Sequence, residues 1–335
     1  MAAGAAGVKG RGLLAKLLVT GGAGYVGSHV CEALAAQGHE VVVYDSLVQG
    51  HRRAVKWGPL IEGDLLEQSK LHRLFQTHDF AAVLHFAALS CVGDSVRDPG
   101  AYYQNNVTGS LNLLRAMTQA GVGKLVFSST AAVYGAPEQL PLTEESPLAP
   151  INPYGASKVM VEQILRDFDR AVGLRSVALR YFNAAGASAS GQIGEDHRPE
   201  THLLPLAIEA ALGRHADFKL FGQDYPTADG TAMRDYVHVE DLARAHLLAL
   251  DYLLAGGGSQ IFNLGAGQAT SVRELLAMVG EMVGAPVPYR RAPRRAGDPP
   301  VLLADCQKAA DILGWKATGS LRDIVASALA WQRKR

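Results

Sequence analysis

A tyrosine and a lysine four residues apart form the most chemically suggestive pair in the sequence. They lie in the segment Tyr154-Gly155-Ala156-Ser157-Lys158, which directly follows Pro153. Proline suits the first turn of a helix, and residues i and i+4 of a helix share one face. A phenol ionises near pH 10, so a neighbouring ammonium group that stabilises the phenolate would make it a usable base at neutral pH. We therefore predict that Tyr154 and Lys158 act together in proton transfer.

A third polar group precedes this pair in the chain. The segment Phe127-Ser128-Ser129-Thr130 follows an apolar run and is predicted to end a strand. At the carboxyl end of a parallel strand a side chain points into the ligand crevice. We expect the Thr130 hydroxyl to hydrogen-bond the reacting oxygen there, which makes Thr130, Tyr154 and Lys158 the predicted catalytic residues.

A glycine-rich turn near the N-terminus predicts a dinucleotide site. Gly22-x-Gly24-x-x-Gly27 lies between a predicted strand and a predicted helix. Such glycines permit a tight turn, let a pyrophosphate approach the backbone and let the helix pack closely on the strand. The free N–H groups at the helix N-terminus then favour the phosphates.

An acidic residue after the next strand favours NAD over NADP. Asp45 stands about 20 residues beyond the turn, where a carboxylate binds the ribose hydroxyls and repels a 2′-phosphate. Arg52 and Arg53 instead favour NADP, because nearby arginines can bind its 2′-phosphate. With NAD bound, the positive nicotinamide ring would also stabilise a Tyr154 phenolate.

Two further stretches suit the same cofactor. Asp64, in Gly63-Asp64-Leu65, is placed to reach the adenine, and Phe86-Ala87-Ala88 supplies small residues beside the pyrophosphate and ribose. His85 is interpreted as a buried core histidine.

The elements that must position these residues alternate regularly. Short apolar runs at 17–20, 40–44, 81–86 and 124–127 are separated by helix-length segments, the first at 27–37. This order predicts βαβ units and an α/β fold with a Rossmann-type doubly wound parallel sheet.

The composition and the pattern of residue types change near Tyr181. We predict an NAD-binding domain at 13–181 and a smaller α/β substrate domain at 182–335, with a possible return of the chain to the first domain around 236–265. Within the second half we expect a long loop at 183–202, a short exposed strand at 218–222, helices at 239–255 and 272–282, and a loop at 290–300.

Composition excludes several classes of function. The chain has 32 basic and 32 acidic residues, so no net field attracts nucleic acid or an anionic membrane. No apolar run is long enough to span a bilayer. Cys31, Cys91 and Cys306 lie far apart, which predicts neither a disulfide nor a metal site and favours a reducing, cytoplasmic compartment. Residues 1–12 are predicted to be a disordered extension rather than a signal peptide.

These motifs together resemble the extended short-chain dehydrogenase/reductase family. The resemblance rests on TGGAGYVGSH, HFAAL, YYQNNVTGS, FSSTAAVYG, YGASK, RYFNAAGA, RDYVHVEDLA and NLGAG, and it runs from about Leu17 to near the C-terminus. Within that family the motifs are most similar to those of epimerases that act on carbon 4 of a UDP-hexose.

The resemblance implies a set of site residues. It assigns NAD contacts to Gly21, Gly24, Tyr25, Val26, Gly27, Asp45, Asp64, Leu65, Phe86, Ala87, Ala88, Asn105, Tyr154, Lys158 and Phe182. It assigns substrate contacts to Thr130, Tyr154, Asn183, His202, Leu203, Lys219, Leu220, Phe221, Arg234, Arg295 and Asp298.

The chemistry of the second set fits a UDP-sugar. The Asn183 amide and the arginine forks of Arg234, and of Arg291 or the pair Arg294-Arg295, suit phosphate oxygens. Phe221 offers a surface for the base, and His202-Leu203 stands at a predicted helix start, which suits an anion.

The reaction implied by the resemblance is oxidation at carbon 4, rotation of the 4-keto sugar and its reduction from the other face. Thr130 is followed by Ala131-Ala132 rather than by the Asp-Glu pair of related dehydratases, which disfavours loss of water. Ser90 replaces a lysine of some relatives, and Leu302 lies where family members limit the pocket beside the sugar 2-substituent.

Two alternatives stay open at the level of sequence. One is an epimerase or decarboxylase of another UDP-sugar, such as UDP-N-acetylglucosamine, UDP-glucuronate or a UDP-pentose. The other is a catalytically silent NAD-binding regulator, which would be expected to lose Tyr154, Lys158 or Thr130. The resemblance also implies a homodimer formed through helices of the first domain.

Overall fold

The computed structural model describes residues 14–295 and 298–335. The predicted extension at 1–12 and the predicted domain start at Leu13 lie outside these ranges. The strands are β1 (Lys16–Thr20), β2 (Glu40–Asp45), β3 (Leu60–Glu62), β4 (Ala82–His85), β5 (Lys124–Ser128), β6 (Arg175–Tyr181), β7 (Asn183–Ala185), β8 (Lys219–Phe221), β9 (Met233–His238), β10 (Gln260–Leu264), β11 (Ala269–Ser271) and β12 (Arg290–Ala292).

Eleven α-helices accompany these strands within the described ranges. They are α1 (Tyr25–Ala36), α2 (Gln68–Thr77), α3 (Val92–Arg97), α4 (Pro99–Tyr102), α5 (Gly109–Gln119), α6 (Pro153–Val172), α7 (Leu203–Ala211), α8 (Val239–Leu254), α9 (Val272–Val283), α10 (Gln307–Leu313) and α11 (Leu321–Lys334). Across the same ranges, none of the helices combines the length and the apolar character that crossing a membrane requires.

Seven parallel strands form the central sheet in the order β10-β6-β5-β4-β1-β2-β3. From β1 the chain adds β2 and β3 on one side, and it then returns to add β4, β5 and β6 on the other side. The order of the strands therefore reverses between the neighbours β1 and β4. The predicted α/β doubly wound fold is confirmed. A ligand crevice is expected beyond the carboxyl ends of strands at such a switch point.

The sheet is hydrophobic on both faces because helices cover both. In β1, Leu17 and Val19 pack with α1 and α8, whereas Leu18 faces the opposite layer built from α2, α5 and α6. Successive strand residues point to opposite faces, so a strand covered on both sides has a continuous apolar run instead of an alternation.

The chain returns to the large sheet after it has formed part of the second half of the molecule. Helix α8 packs against α1, and β10 pairs with β6 at the edge of the large sheet. Residues of this return, including Leu250 and Phe262, are fully buried in the core beneath the dinucleotide half. The proposed division at 181/182 therefore separates a half that would bind the dinucleotide from a half that would bind the substrate. We call these the two ligand halves. The first of them does not complete its hydrophobic core without residues from beyond position 182.

The second half is smaller and carries its own core. A three-stranded sheet, β11-β9-β7, and a two-strand pair, β12-β8, lie with α7, α9 and α11 around residues such as Ile208, Leu275 and Ile324. Capping boxes at Ser271 and Ser320 begin α9 and α11, where each serine accepts a hydrogen bond from the N3 backbone N–H.

Three sequence expectations in this half need correction. The loop predicted at 290–300 begins with β12, which pairs with β8 and so gains backbone hydrogen bonds that propensity does not reveal. The loop predicted at 183–202 begins with β7. The strand predicted at 218–222 exists, but Phe218 and Leu220 are buried, so it is exposed only in part.

Candidate functional site

The glycine-rich turn joins β1 to α1, and two of its glycines stand where a side chain would not fit. Gly21 has a positive φ of 75°, and a Cβ on it would stand 2.4 Å from the backbone nitrogen of Ala87. A Cβ on Gly27 would stand 2.3 Å from the carbonyl oxygen of Gly21. The helix therefore approaches the strand more closely than any other residue type would allow.

The N-terminus of α1 is left open for an anion. Gly24 is its N-cap residue, no side chain caps the first N–H groups, and the first turn carries no acidic residue. A Cβ on Gly24 would meet only the Gly21 carbonyl oxygen, at 3.3 Å, so the space in front of the helix is otherwise open. These features fit the pyrophosphate of a dinucleotide.

Asp45 ends β2 beside this turn. Its carboxylate accepts hydrogen bonds from the N–H of Ala23 at 2.9 Å and of Leu47 at 2.8 Å. Burial raises the pKa of Asp45, while those two N–H groups act to lower it. Arg52 pairs with Glu62 and Arg53 pairs with Asp196, so both arginines already have acidic partners. This arrangement favours ribose hydroxyls over a 2′-phosphate at Asp45.

Tyr154 and Lys158 lie on one face of α6, as predicted. Asn152 caps the helix by accepting the Gly155 N–H at 2.9 Å, and Pro153 occupies its first position. The Lys158 ammonium is buried, donates to the Ser128 carbonyl oxygen at 2.7 Å and lies 5.9 Å from the centre of the Tyr154 ring.

The electrostatics of the pair differ from the expectation. Burial lowers the pKa of Lys158 to about 7, although the nearby Glu162 carboxylate acts to raise it. Burial also raises the pKa of Tyr154, and the hydrogen bond with Thr130 opposes that rise. Lysine alone therefore does not make this phenol acidic, and any lowering of its pKa needs a further positive charge beside it.

Thr130 follows the carboxyl end of β5, where it was predicted, two residues beyond the last strand residue, Ser128. Its hydroxyl accepts the Ala132 N–H at 3.1 Å and caps the short 3-10 turn Ala131–Tyr134. The end of β5 and the cap of this turn together fix Thr130 next to Tyr154.

A single cleft of about 1650 Å³ joins the two halves of the molecule. Pockets that bind one drug-sized ligand measure about 300–1,000 Å³, so this cleft has room for two large ligands. The predicted residues that line it are Gly21, Gly24, Tyr25, Val26, Gly27, Asp45, Asp64, Leu65, Phe86, Ala87, Ala88, Asn105, Thr130, Tyr154, Lys158, Phe182, Asn183, His202, Leu203, Lys219, Leu220, Phe221, Arg234, Arg295 and Asp298.

The cations of the second half are divided between the cleft and its surroundings. Arg234 lines the cleft and pairs with Asp298, and the Arg295 guanidinium lies 4.2 Å from the centre of the Phe221 ring. Arg294 instead binds Asp224 and stacks on Tyr225. The sequence left open Arg291 or the pair Arg294-Arg295. Of these three arginines, Arg295 lines the cleft, whereas Arg291 and Arg294 do not.

Comparison with known proteins agrees with this geometry. Residues 17–265 match the NAD dependent epimerase/dehydratase family. A UDP-glucose 4-epimerase of Rhizobium leguminosarum bv. trifolii is 52% identical over 318 residues, which are 95% of this chain and 97% of that protein. The chain belongs to this epimerase/dehydratase family. The resemblance to extended short-chain dehydrogenase/reductases is thereby confirmed.

Two solved structures show how far the similarity of this family member extends. The crystal structure of UDP-glucose 4-epimerase from Brucella ovis in complex with NAD has a TM-score of 0.92 and 48% identity, and covers 94% of this chain and 97% of that one. The enzyme from Bifidobacterium longum in complex with NAD+ and UDP has a TM-score of 0.91 and 40% identity, and covers 95% of this chain and 98% of that one.

Sequence reasoning missed one residue beside the predicted base. The Tyr181 hydroxyl lies 2.5 Å from Ser128 Oγ and lines the cleft, and burial together with the neighbouring Tyr154 raises the pKa of Tyr181. Tyr181 ends β6, which pairs with β5 in the large sheet, but the sequence analysis predicted no strand at this position. His85, in contrast, is a satisfied core residue, as interpreted: its ring nitrogens lie 2.7 Å from Thr20 Oγ1 and 2.9 Å from Ser110 Oγ.

A second omission lies in the segment 194–202. Glu195, His197, Glu200 and His202 bring four ionisable side chains together. Burial disfavours the charged histidines, but the two carboxylates outweigh it and raise the pKa of His197 to about 9 and of His202 to about 10. The Nδ1 atom of His202 lies 2.6 Å from Glu195 Oε1, so the predicted substrate contact of His202 stays a prediction.

Proposed function

We propose that this chain is a UDP-glucose 4-epimerase that interconverts UDP-glucose and UDP-galactose with tightly bound NAD. The observation that carries the proposal is the position of Tyr154. Its phenol lies in one cleft between an uncapped helix N-terminus that suits a dinucleotide and an arginine- and phenylalanine-lined pocket that suits UDP. The relatives described above, with NAD or with NAD+ and UDP bound, support it.

The residues around the glycine-rich turn would hold NAD. The free N–H groups of α1 would bind the pyrophosphate, Asp45 the adenosine ribose, and Asp64 the adenine. Bound there, NAD supplies the hydride chemistry of the reaction, since it can accept hydride from carbon 4 of the sugar and return it.

Tyr154 acts as the general base and later as the general acid. Its phenolate takes the proton of the 4-hydroxyl while carbon 4 becomes a ketone, and it gives the proton back when the alcohol reforms. Thr130 donates a hydrogen bond to the phenolate or the sugar oxygen, and Lys158 holds the Ser128 backbone and adds positive charge near the phenol. Such proton transfer by a positioned group contributes about 10²–10⁴-fold in rate.

The second half binds the nucleotide and leaves the sugar loosely held. Arg234, Arg295 and Asn183 would bind the diphosphate, and Phe221, beneath the Arg295 guanidinium, would pack on the uracil. Firm contacts to UDP let the 4-keto sugar rotate about its phosphate linkage and present its other face. The two alanines after Thr130 provide no acid for loss of water.

Conversion of UDP-galactose to UDP-glucose without added reductant tests the proposal. The wild-type protein should produce UDP-glucose, and Tyr154→Phe should lower kcat by about 100-fold or more while NAD stays bound. Tyr289→Phe, at an exposed tyrosine away from the cleft, is the matched control and should keep full rate. A wild-type preparation that carries NAD but converts neither sugar would contradict the proposal.

We further propose a homodimer formed through helices of the dinucleotide half, in a reducing cytoplasmic compartment. Val96 on α3 and Met160 on α6 are 63% and 45% exposed, and the two helices are neighbours. Burying them between two copies would remove apolar surface from water. Light scattering should give a dimer mass that Met160→Glu reduces, whereas Ile312→Glu, at an exposed apolar residue of α10, should not change it.

A further inference from the structure

Four potential metal ligands converge on one point in the segment 194–202. The residues are Glu195, His197, Glu200 and His202, called the His/Glu cluster below. One ligand atom from each lies within 4.8 Å of every other, and no other such group occurs in residues 14–295 and 298–335. Imidazole nitrogens with carboxylate oxygens are ordinary ligands of zinc.

The distances within the His/Glu cluster fit a tetrahedral ion. Nδ1 of His197 lies 3.3 Å from Glu195 Oε1 and 3.7 Å from Glu200 Oε1. Nδ1 of His202 lies 2.6 Å from Glu195 Oε1 and 3.5 Å from Glu200 Oε1. A zinc ion bound at about 2.0–2.1 Å holds tetrahedral ligands about 3.3–3.4 Å apart, so of these four pairs the shortest must open.

Hydrogen bonding inside the protein leaves this point unsatisfied. Nδ1 of His197 and Oε2 of Glu200 are buried without a hydrogen-bond partner, even though carboxylate and imidazole are near each other. Buried polar atoms are normally paired, and an unpaired one suggests an ion or water that completes the site. The Glu195 side chain, 6% exposed, points at the same place.

We infer that the His/Glu cluster is a structural Zn²⁺ site. Two carboxylates balance the charge of the dication, and four protein ligands close its coordination, which is typical of structural rather than catalytic zinc. Further contacts orient the ligands: Glu200 Oε1 accepts the N–H of His202 at 2.9 Å, and Trp331 Nε1 donates to the Glu195 carbonyl oxygen at 2.8 Å.

The place of the site gives it a positioning role. The Tyr25 ring, in the first turn of α1, lies edge-on to His197 and so links the segment to that helix. The Tyr25 hydroxyl is itself held by a hydrogen bond to the Gly186 carbonyl oxygen at 2.6 Å. His202 is the N-cap residue of α7 on the nucleotide side of the cleft. A metal ion here would fix the segment that connects the two ligand halves.

Metal binding by the wild-type protein tests the inference directly. After removal of metal by a chelator, titration with Zn²⁺ against a chromophoric competitor should give one tight equivalent per chain and a higher Tm. Co²⁺ in its place should give the visible absorption of a four-coordinate ion. No stoichiometric zinc, or a Co²⁺ spectrum of a six-coordinate ion, would overturn the site.

Variants locate the bound metal. His197→Gln and Glu195→Gln should each weaken zinc binding by about 100-fold or more and abolish the zinc-dependent rise in Tm. The control His72→Gln, at an exposed histidine of α2, should bind zinc as the wild type does. Tight zinc that persists in both cluster variants would place the metal elsewhere. If a variant does not fold, the wild-type zinc titration and the Co²⁺ spectrum still test whether the site exists.

Discussion

Tyr154 shows how neighbouring groups set the reactivity of one residue. Burial raises the pKa of its phenol, the Thr130 hydroxyl acts to lower it, and Lys158 is itself partly neutral because its pKa falls to about 7. The local protein groups therefore position the phenol more than they acidify it. Positive charge from an oxidised cofactor would complete the base only when the cofactor is in place.

Removal of the Thr130 hydroxyl should change the pH profile of the enzyme. Thr130→Val keeps the shape of the side chain and removes the hydrogen bond that lowers the Tyr154 pKa. We expect kcat to fall by about 10-fold or more, and the rise of kcat/KM with pH to move to higher pH. Thr118→Val, at a helix hydroxyl that bonds Leu114, is the control and should keep the wild-type profile. An unchanged profile in Thr130→Val would argue against its role.

Buried His85 should make the fold sensitive to acid. Burial, with the Lys158 charge second, lowers the pKa of His85 from 6.5 to about 3. The folded state binds this proton less readily, so the contribution of His85 to stability is present above pH 6.5 and is lost as pH falls toward 3. Between pH 7 and 5 this loss is about 2 kcal/mol.

Urea unfolding at pH 7 and pH 5 measures that effect. His85→Gln should lose less stability on acidification than the wild type, by about 2 kcal/mol, whatever its absolute stability. His72→Gln should follow the wild type. Equal losses in His85→Gln and the wild type would show that His85 is not a neutral buried group.

At the scale of elements, the contact of α1 with β1 depends on a missing side chain. Gly27→Ala would place a methyl group 2.3 Å from the Gly21 carbonyl oxygen, so α1 must move away from the sheet. We expect a loss of about 1–3 kcal/mol in stability and a lower content of bound NAD. Gly258→Ala is the control, because no atom lies within 4 Å of the added methyl group. Full NAD content in Gly27→Ala would contradict this account.

The dinucleotide half was predictable from sequence because its signals are local. The turn from β1 to α1, the Tyr154–Lys158 spacing and the buried strands each depend on residues a few positions apart. Where elements depend on distant partners the predictions were weaker. Strand β12 forms only by pairing with β8, about 70 residues earlier, and the His/Glu cluster appears only when the segment folds on itself.

At the scale of the whole molecule, the dinucleotide half (residues 14–181) does not complete its hydrophobic core by itself. Leu242, Leu250 and Phe262 come from the returning α8 and β10 and fill one face of the sheet. A fragment of residues 14–181 would expose that face to water. We expect it to aggregate or to bind a hydrophobic dye strongly, and to lack the sharp thermal transition of the full chain. A soluble fragment with such a transition would contradict the shared core.

The same return of the chain restricts how this protein and its relatives can exchange parts. A single recombination point after β6 would transplant the nucleotide-sugar pocket together with α8 and β10, and a foreign edge strand would then have to fit the host sheet. Two junctions on either side of α8–β10 keep the host's own strand and helix. Chimeras that alter sugar preference should therefore tolerate paired junctions far better than single ones.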